Sequence, residues 1–150
     1  MTPKLPADTQ GLEYDWLGSD VSGCVALFST AGAGYAPKAF LRDTDAHDMA
    51  IQAVLVLPVT TEARFAPDLG PGLINTWRLV AERGLYAYDS NPNGGPYRLV
   101  AAPVVPVRVD ALPPDVANVA TAVRCSLRFE SMSIVTDEVL TAALGEPDRG

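Results

Sequence analysis

The chain has 150 residues, of which 48% are hydrophobic and 19% are charged. This composition is far from the low-hydrophobicity, high-charge signature of disorder, so we expect one folded domain with a substantial core. Eleven Lys and Arg residues against 18 Asp and Glu residues give a net charge of −7, with no basic cluster along the sequence. Direct binding of nucleic acid is disfavoured, because it depends largely on cations that neutralise phosphates.

The ends of the chain contain no periodic pattern. The first ten residues lack the apolar segment of a signal peptide, and the most apolar stretches, 53–59 and 99–109, are short or broken by proline. We therefore expect a cytoplasmic protein without a membrane contact. The predicted organisation is a flexible tail at residues 1–13, a single domain at 14–144 and a second flexible tail at 145–150.

The first predicted elements form a hairpin. Residues 14–17 and 24–29 are rich in strand-forming side chains, and the segment between them contains the glycine and aspartate residues of a tight turn. After a loop, residues 38–42 are predicted to form one helical turn.

The clearest helical pattern begins after Asp43 or Thr44, either of which can cap the free N–H groups of a helix. Pro58 is expected to end this helix. The apolar residues that recur at helical spacing are Ala46, Met49, Ala50, Ala53, Val54 and Leu57. With the apolar stripe in that phase, His47 is expected to be an exposed helix residue.

The middle of the chain predicts a second helix and a second hairpin. Residues 71–83 carry apolar side chains at helical spacing, between a proline that suits the first turn and Gly84 at the exit. Residues 85–89 and 97–101 then alternate as strands around a turn dense in asparagine, proline and glycine. The valines at 104–109 predict extended chain at a sheet edge, because two prolines remove ladder donors there.

The last predicted elements are a third helix and a strand. Two prolines and Asp115 open the helix, whose apolar face consists of Val116, Val119, Ala120 and Val123. Residues 125–130 show the cleanest alternation of apolar and polar side chains in the sequence, and predict a strand. Together, the elements predict an α+β fold: a single antiparallel or mixed sheet of about five to six strands with two to three helices packed on one face.

Two segments of the sequence are candidate catalytic or ligand-binding sites. The Gly32/Gly34 loop lacks the third glycine of a dinucleotide fingerprint and the lysine of a P-loop, so it predicts a structural loop. Residues 43–48 contain three carboxylates and the only histidine, but Asp48 and Val54 occupy the positions where a calcium loop needs glycine and glutamate. A helix cap followed by acidic residues in the first turn accounts for that segment.

The remaining catalytic candidates are also weak. A single histidine excludes a multi-histidine zinc site, and no serine lies in a nucleophile elbow. Cys24 and Cys125 lie in apolar runs and are expected to be buried free thiols. The sequence therefore predicts no enzyme, no metal site and no cofactor.

Two segments are candidates for partner binding. One is the acidic segment at 43–48, and the other is the junction where a tyrosine-containing strand runs into a polar loop, a rigid sheet ending in an adaptable tip. The predicted partner-binding residues are Asp43, Asp45, Asp48, Tyr86, Tyr88, Asp89, Asn91 and Asn93.

Four motifs resemble a group of small bacterial proteins. They are Tyr-Asp-Trp-Leu-Gly-Ser-Asp at 14–20, Val-Ala-Leu-Phe-Ser-Thr-Ala-Gly at 25–32, Arg-Gly-Leu-Tyr-Ala-Tyr-Asp at 83–89 and Pro-Val-Arg-Val-Asp-Ala-Leu-Pro-Pro at 106–114. The likeness touches most of residues 14–130. One departure is the Gly23-Cys24 pair, where the group usually has glycine-histidine. The group resembles the immunity proteins of bacterial polymorphic toxin systems, such as those of Rhs-type effectors.

That resemblance implies a protein that neutralises a cognate toxin domain by binding it stoichiometrically. It supplies no catalytic residue. The acidic charge indicates that the toxin domain is basic, since opposite charges accelerate association. Two alternatives stay open from the residues alone: a small hydrolase that uses unmarked Asp and Glu residues, and a ligand-binding or scaffolding module.

Overall fold

The computed structural model describes residues 3–65 and 75–146. Within these ranges the helices are α1 (Pro6–Thr9), α2 (Lys38–Arg42), α3 (Thr44–Leu55), α4 (Thr76–Ala81), α5 (Pro114–Ala122) and α6 (Asp137–Leu144). The strands are β1 (Asp15–Ser19), β2 (Val25–Ser29), β3 (Ala63–Phe65), β4 (Tyr86–Asp89), β5 (Tyr97–Pro103) and β6 (Ile134–Val135). Two short 3-10 turns cover Val109–Ala111 and Phe129–Ser131.

All six strands belong to one mixed sheet. Its order is β1-β2-β4-β5-β3, and β6 also pairs with β5. The β2–β4 pair is parallel and the other pairs are antiparallel. The predicted α+β fold with a single sheet is confirmed, and so are the two predicted hairpins, β1–β2 and β4–β5.

Each face of the sheet packs against a core. Successive side chains of a strand point to opposite faces, so neighbouring residues contribute to different cores. Leu17 and Leu27 contribute to a core with apolar residues of α3, α4 and α5. Trp16 and Phe28, their chain neighbours, lie in a second core on the other face, with Leu140 of α6 and with Phe129. The three longer predicted helices thus share one face, while α2, α6 and the turn at Phe129 cover the other.

The second core is largely aromatic. The rings of Trp16 and Phe28 stack with centroids 4.0 Å apart, and Phe28 stacks on Tyr88 at 4.9 Å. Tyr97 meets Trp16 edge-on, and the Trp16 indole N–H donates a hydrogen bond to the Tyr97 hydroxyl at 3.2 Å. Such ring pairs contribute about 0.5–1.5 kcal/mol beyond their buried area, so this cluster ties β1, β2, β4 and β5 together.

Helix α3 begins where it was predicted but turns a different face to the core. The Asp43 carboxylate accepts a hydrogen bond from the Ala46 amide, as expected of an N-cap. The buried residues are Thr44, His47, Ala50, Ile51 and Val54, whereas Met49 is 73% exposed. The predicted stripe was therefore out of phase, and the expectation that His47 is exposed is wrong.

The reason is a hydrogen bond between α3 and the sheet. His47 is only 2% exposed, and its Nδ1 atom accepts a hydrogen bond from the Leu17 amide of β1 at 3.0 Å. The neutral imidazole thus supplies the hydrogen-bond acceptor that the carbonyl of a neighbouring strand would otherwise provide to the Leu17 amide. The Phe40 and His47 rings pack edge to face, with their centroids 5.1 Å apart. Burial lowers the pKa of His47 to about 4, against the opposing effect of the Asp43 carboxylate.

Residues 125–130 form no strand, so the prediction drawn from the most regular alternation in the sequence is wrong. The segment instead bends into the 3-10 turn at Phe129–Ser131, and only Arg124 forms an isolated bridge, with Ser19. The alternation reflects burial of Cys125 and Phe129 against the aromatic core without strand pairing.

The buried Asp20 carboxylate holds this bend. One of its oxygens accepts hydrogen bonds from the amides of Ser22 and Cys24, both at 2.9 Å, and the other accepts from the Phe129 amide at 2.9 Å. Asp20 therefore shapes the β1–β2 turn and fixes a segment more than a hundred residues away in the chain. Because the charged Asp20 carboxylate accepts hydrogen bonds from three backbone amides, it favours the bent conformation over pairing of this segment as a strand.

The predicted second helix is present only in its last part within the described ranges. Residues 71–74 lie outside them, and α4 begins after Asn75, whose side chain accepts from the Arg78 amide. Gly84 follows with a φ of +93°, and an added Cβ would lie 2.7 Å from Val107. The glycine that was predicted to end the helix is thus required both by the backbone and by packing.

Helix α5 has the predicted position, with Val116 and Ala120 buried. The valine-rich segment before it, residues 104–109, was predicted as extended edge chain; Arg108 forms an isolated bridge with Cys24, and the 3-10 turn Val109–Ala111 begins at the end of the segment. Near the N-terminus, the Lys4 amide donates to the Leu41 carbonyl at 2.7 Å and the Gly11 amide to the Gly32 carbonyl at 2.7 Å. The flexibility of the ends stays a prediction.

The first testable prediction concerns Asp20. Replacing Asp20 by Asn removes a charged acceptor and points an amide donor at a backbone donor, so we expect the free energy of unfolding to fall by about 3 kcal/mol. Urea denaturation measures the change. The exposed Asp110, replaced by Asn, is the matched control and should change stability by less than about 0.5 kcal/mol. Equal effects of the two substitutions would contradict the role of Asp20.

The second prediction concerns His47. Its pKa is lowered by folding from 6.5 to about 4, so the unfolded chain binds the proton more readily between these values. The contribution of neutral His47 to stability is therefore complete above about pH 6.5 and is lost as the pH falls towards 4, by up to about 3 kcal/mol. His47→Gln has no such titration.

Urea denaturation of both proteins at pH 7 and pH 4.5 tests this. The difference in stability between wild type and His47→Gln should shrink on acidification, since other titrating groups are common to both proteins. A difference that is independent of pH would show that His47 does not titrate as the burial implies.

Candidate functional site

Three polar residues form a row across neighbouring strands. Asp15 at the start of β1 lies opposite Ser29, and Ser29 at the end of β2 lies beside Asp89 at the end of β4. Because β2 and β4 are parallel, their carboxyl ends meet at the same edge of the sheet. The alternation of side chains directs this row to the face that carries α3 and α4, away from the aromatic core.

Two helices border the row. From α4, the Trp77 indole N–H donates a hydrogen bond to the Ser29 hydroxyl oxygen at 3.2 Å. From α3, the Asp48 carboxylate is near enough to raise the pKa of Asp15. On the far side, Arg98 lies opposite Asp89 in the β4–β5 register, but the two side chains form no ion pair. The edge thus concentrates negative charge without a neutralising partner among the residues described.

The pKa values of Asp15 and Asp89 reflect both burial and the neighbouring negative charges. The pKa of Asp89 is raised to about 6, first by burial and then by the carboxylates of Asp15 and Glu13, while a hydrogen bond with the Ser90 backbone opposes the rise. Burial also raises the pKa of Asp15; the Ser29 hydroxyl opposes the change, and Glu13 and Asp48 add to it. We call Glu13, Asp15, Asp48 and Asp89 the acidic edge.

The acidic edge has limited means for chemistry. Within residues 3–65 and 75–146, no three His, Cys, Asp or Glu side chains are arranged to hold a metal ion. The Ser29 hydroxyl has no histidine to activate it, because His47 is buried elsewhere and its Nδ1 is occupied by the Leu17 amide. Two half-buried carboxylates with raised pKa values are left, and these can accept a cation or exchange a proton.

The structure brings together part of the predicted partner-binding set. Asp48 and Asp89 both belong to the acidic edge, and Asp45 is exposed on α3 while Asp43 serves as its cap. Asn91 and Asn93 are exposed in the β4–β5 turn, where the Asn91 side chain accepts from the Asn93 amide at 3.0 Å. Partner binding by these residues stays a prediction.

Tyr86 and Tyr88 are placed differently. They are 5% and 0% exposed, and the Tyr88 hydroxyl lies 2.7 Å from the Met132 carbonyl oxygen. In this conformation they offer no surface to a partner, so we leave them out of the candidate contact surface. Glu13 and Asp15, by contrast, were missed in the sequence. The position of Asp15 opposite a serine and an aspartate depends on strand register, which the sequence did not reveal.

The glycine loop has a packing explanation. An added Cβ at Gly34 would lie 2.7 Å from the Tyr97 hydroxyl, whose proton is donated to the Tyr35 carbonyl at 2.6 Å. The loop borders an open cleft of about 490 Å³. Asp137 and Glu138 of α6 line the same cleft. This supports the interpretation of the loop as structural.

Both cysteines are free, as predicted. Cys125 is buried, and burial raises its pKa to about 12. Cys24 is partly buried, and burial followed by the Asp20 charge raises its pKa as well. A reactive thiol needs a lowered pKa, so neither cysteine has the character of a nucleophile.

Comparisons with known proteins add no relative. No protein-family model matches the chain, and no similar protein was found among curated proteins or solved structures. In the described part of the chain, none of the helices is both long enough and apolar enough to cross a membrane.

The third prediction follows from the raised pKa of Asp89. A carboxyl group whose pKa is raised by folding destabilises the protein as the pH rises from its unfolded value to the folded value of about 6. At pH 7, Asp89→Asn should therefore raise the free energy of unfolding, by about 1 kcal/mol once solvent screening of this half-exposed group is allowed for.

Urea denaturation at pH 7 and pH 4 measures the effect, which should largely vanish at the lower pH. Glu62→Gln is the matched control: Glu62 is exposed and lies beside Val104, past the far end of β5 from Asp89. If Asp89→Asn destabilises the protein at pH 7, the acidic edge is not under electrostatic strain.

Proposed function

We propose that this protein is a cytoplasmic immunity protein that binds a basic toxin domain stoichiometrically and blocks it. The observation that carries the proposal is the acidic edge, where four carboxylates converge without a cation to neutralise them among residues 3–65 and 75–146. The resemblance to immunity proteins of polymorphic toxin systems and the net charge of −7 support the same function.

The acidic edge suits such a partner electrostatically. Carboxylates that repel each other in the free protein are relieved when a Lys or Arg side chain approaches, so part of the binding energy comes from strain already present. The long-range field also accelerates encounter with a basic surface. Asp15 and Asp89 stand on paired strands, which fixes their spacing before the partner arrives and lowers the entropy lost on binding.

The flanking surface adds adaptable contacts. Asp45 on α3 and the Asn91–Asn93 turn are exposed beside the acidic edge, and together they offer carboxylate and amide groups at the rim. Interfaces commonly combine a fixed centre with a polar, solvent-accessible rim. We assign Asp15 and Asp89 to the centre of the contact and the asparagines to its rim.

A second candidate function rests on the same pair of carboxylates. Asp89, with a pKa of about 6, can donate a proton near neutral pH, and Asp15 can accept one, which is the arrangement that hydrolases use for general acid and base. If the protein is an enzyme, the purified protein turns over a substrate on its own. If it is an immunity protein, it acts only by forming a complex with its partner.

The function is tested by co-expression with the product of the adjacent open reading frame, which the proposal expects to contain the toxin domain. Cells that express the toxin domain alone should die, and cells that also express this protein should grow. Survival of cells that carry the toxin domain alone would contradict the proposal. Turnover of a substrate by the purified protein, lost in Asp89→Asn, would favour the enzyme instead.

The fourth prediction concerns the rate of association with that toxin domain. The double substitution Asp15→Asn and Asp89→Asn should lower the association rate constant about tenfold at low salt, with a smaller effect at high salt where charges are screened. Stopped-flow fluorescence measures the rates. Glu62→Gln at the opposite end of β5 is the control and should change the rate less than twofold, about the value expected of a distant charge.

A rate that falls equally in the Glu62→Gln control would mean that only the net charge matters. A rate unchanged in the double variant would place the contact elsewhere on the protein. Either result contradicts the assignment of the acidic edge as the contact surface.

A further inference from the structure

Four cations gather at one corner of this acidic molecule. Lys4, Lys38 and Arg42 line a groove of about 330 Å³, and Lys38, Arg42 and Arg124 line a second groove of about 290 Å³. The two grooves adjoin, since they share Lys38 and Arg42. We call these four residues the basic corner. It is not visible along the sequence, because the four residues are up to 120 positions apart.

The fold holds the backbone of the basic corner in place. The Lys4 amide donates to the Leu41 carbonyl of α2 at 2.7 Å, and Lys38 and Arg42 are the first and last residues of that helix. Arg124 pairs with Ser19 at the end of β1 through an isolated bridge. Three segments distant in the chain therefore converge on one surface.

The clustering is electrostatically unfavourable in the free protein. Among the residues described, none of the four cations forms an ion pair, although carboxylates outnumber cations in the chain. Glu146 is the one carboxylate in the described lining of the grooves, and its oxygens accept hydrogen bonds from the Tyr35 hydroxyl at 2.6 Å and the Lys38 amide at 3.0 Å.

Helix dipoles explain only part of the arrangement. Arg42 ends α2 and Arg124 follows the end of α5, where a cation is favourable. Lys38, however, stands at the start of α2, where a cation is unfavourable, and Lys4 belongs to no helix. Like charges held together without a structural reason indicate a surface kept for an anionic partner.

The groove floors indicate what kind of anion fits. Leu41, Pro3 and Pro6 line the first groove, and Ala39, Val123 and Leu144 line the second. Apolar surface of this kind contacts side chains rather than a free phosphate. The net charge of the rest of the molecule repels a nucleic acid or an anionic membrane, both of which need broad neutralisation.

We propose that the basic corner is a second docking surface, which binds an extended acidic peptide segment of a partner protein with apolar side chains between its carboxylates. The charges complement each other, the apolar side chains fill the floors, and two adjoining grooves suit an extended chain. The described lining of the two grooves contains no residue of the acidic edge, and the proposal does not depend on the function proposed above.

Selection from a random peptide library on the immobilised protein tests the proposal. Enriched peptides should contain several Asp or Glu residues interspersed with apolar residues. Their dissociation constants, measured by fluorescence anisotropy, should rise at least about tenfold for the double variant Lys38→Glu and Arg42→Glu. The matched control, Arg64→Glu and Arg98→Glu, alters two exposed cations outside the grooves and should leave the constants within about twofold.

Circular dichroism checks that each variant is folded, and Lys38→Gln with Arg42→Gln replaces the charge reversal if that variant is not. If no family of enriched peptides carries an acidic excess, or if the control loses binding of the acidic peptides equally, the proposal is overturned. So would tighter binding of inorganic phosphate, RNA or phosphatidylserine vesicles than of the selected peptides, since each belongs to a different class of ligand.

Discussion

The parallel pairing of β2 with β4 is the constraint on which the rest of the structure depends. Two parallel strands need a long crossover, and here it carries α2, α3, β3 and α4 from one strand end back to the other. The crossover brings α3 and α4 onto one face of the sheet. It also sets the carboxyl ends of both strands at a common edge, so Ser29 and Asp89 become neighbours and Asp15 joins them through the β1–β2 hairpin.

Two buried polar side chains then fix the parts that strand pairing leaves open. His47 supplies an acceptor to β1 and thereby sets the rotation of α3, which determines that Asp48 faces the acidic edge. Asp20 supplies acceptors to three amides and bends the chain after Cys125 over the aromatic core. Both side chains stabilise the fold through backbone donors that would otherwise be unsatisfied in the interior. The acidic edge is therefore built on rigid elements, and its charges can repel each other without distorting the sheet.

The sequence predicted the features that depend on local signals. Asp43 as a helix cap, Gly84 at a helix exit and the turn-forming residues of both hairpins act within a few positions, and each prediction was confirmed. Helix α6 was overlooked although local signals were present: Thr136 caps its start by accepting from the Val139 amide, and Gly145 ends it with a φ of +69°. Its short length hid it, since eight residues give little periodicity.

The features that the sequence did not predict depend on long-range partners. The alternation at residues 125–130 is typical of a strand, yet Asp20 diverts the Phe129 amide. The apolar stripe of α3 was misplaced because a polar histidine occupies the buried face, where it satisfies a strand amide. The acidic edge arises from cross-strand register, and the basic corner from three chain segments that only the fold brings together. In each case the deciding contact joins residues that sequence spacing cannot relate.

The central proposal is that burial and mutual repulsion strain the carboxylates of the acidic edge until a basic partner neutralises them. The most direct test is an NMR titration of the Asp89 side-chain carboxyl carbon, in the free protein and in a complex with the proposed toxin domain. The account predicts a pKa of about 6 in the free protein and a clear decrease in the complex. A free-protein pKa at the ordinary aspartate value of 3.8, or a pKa that the partner leaves unchanged, would contradict it.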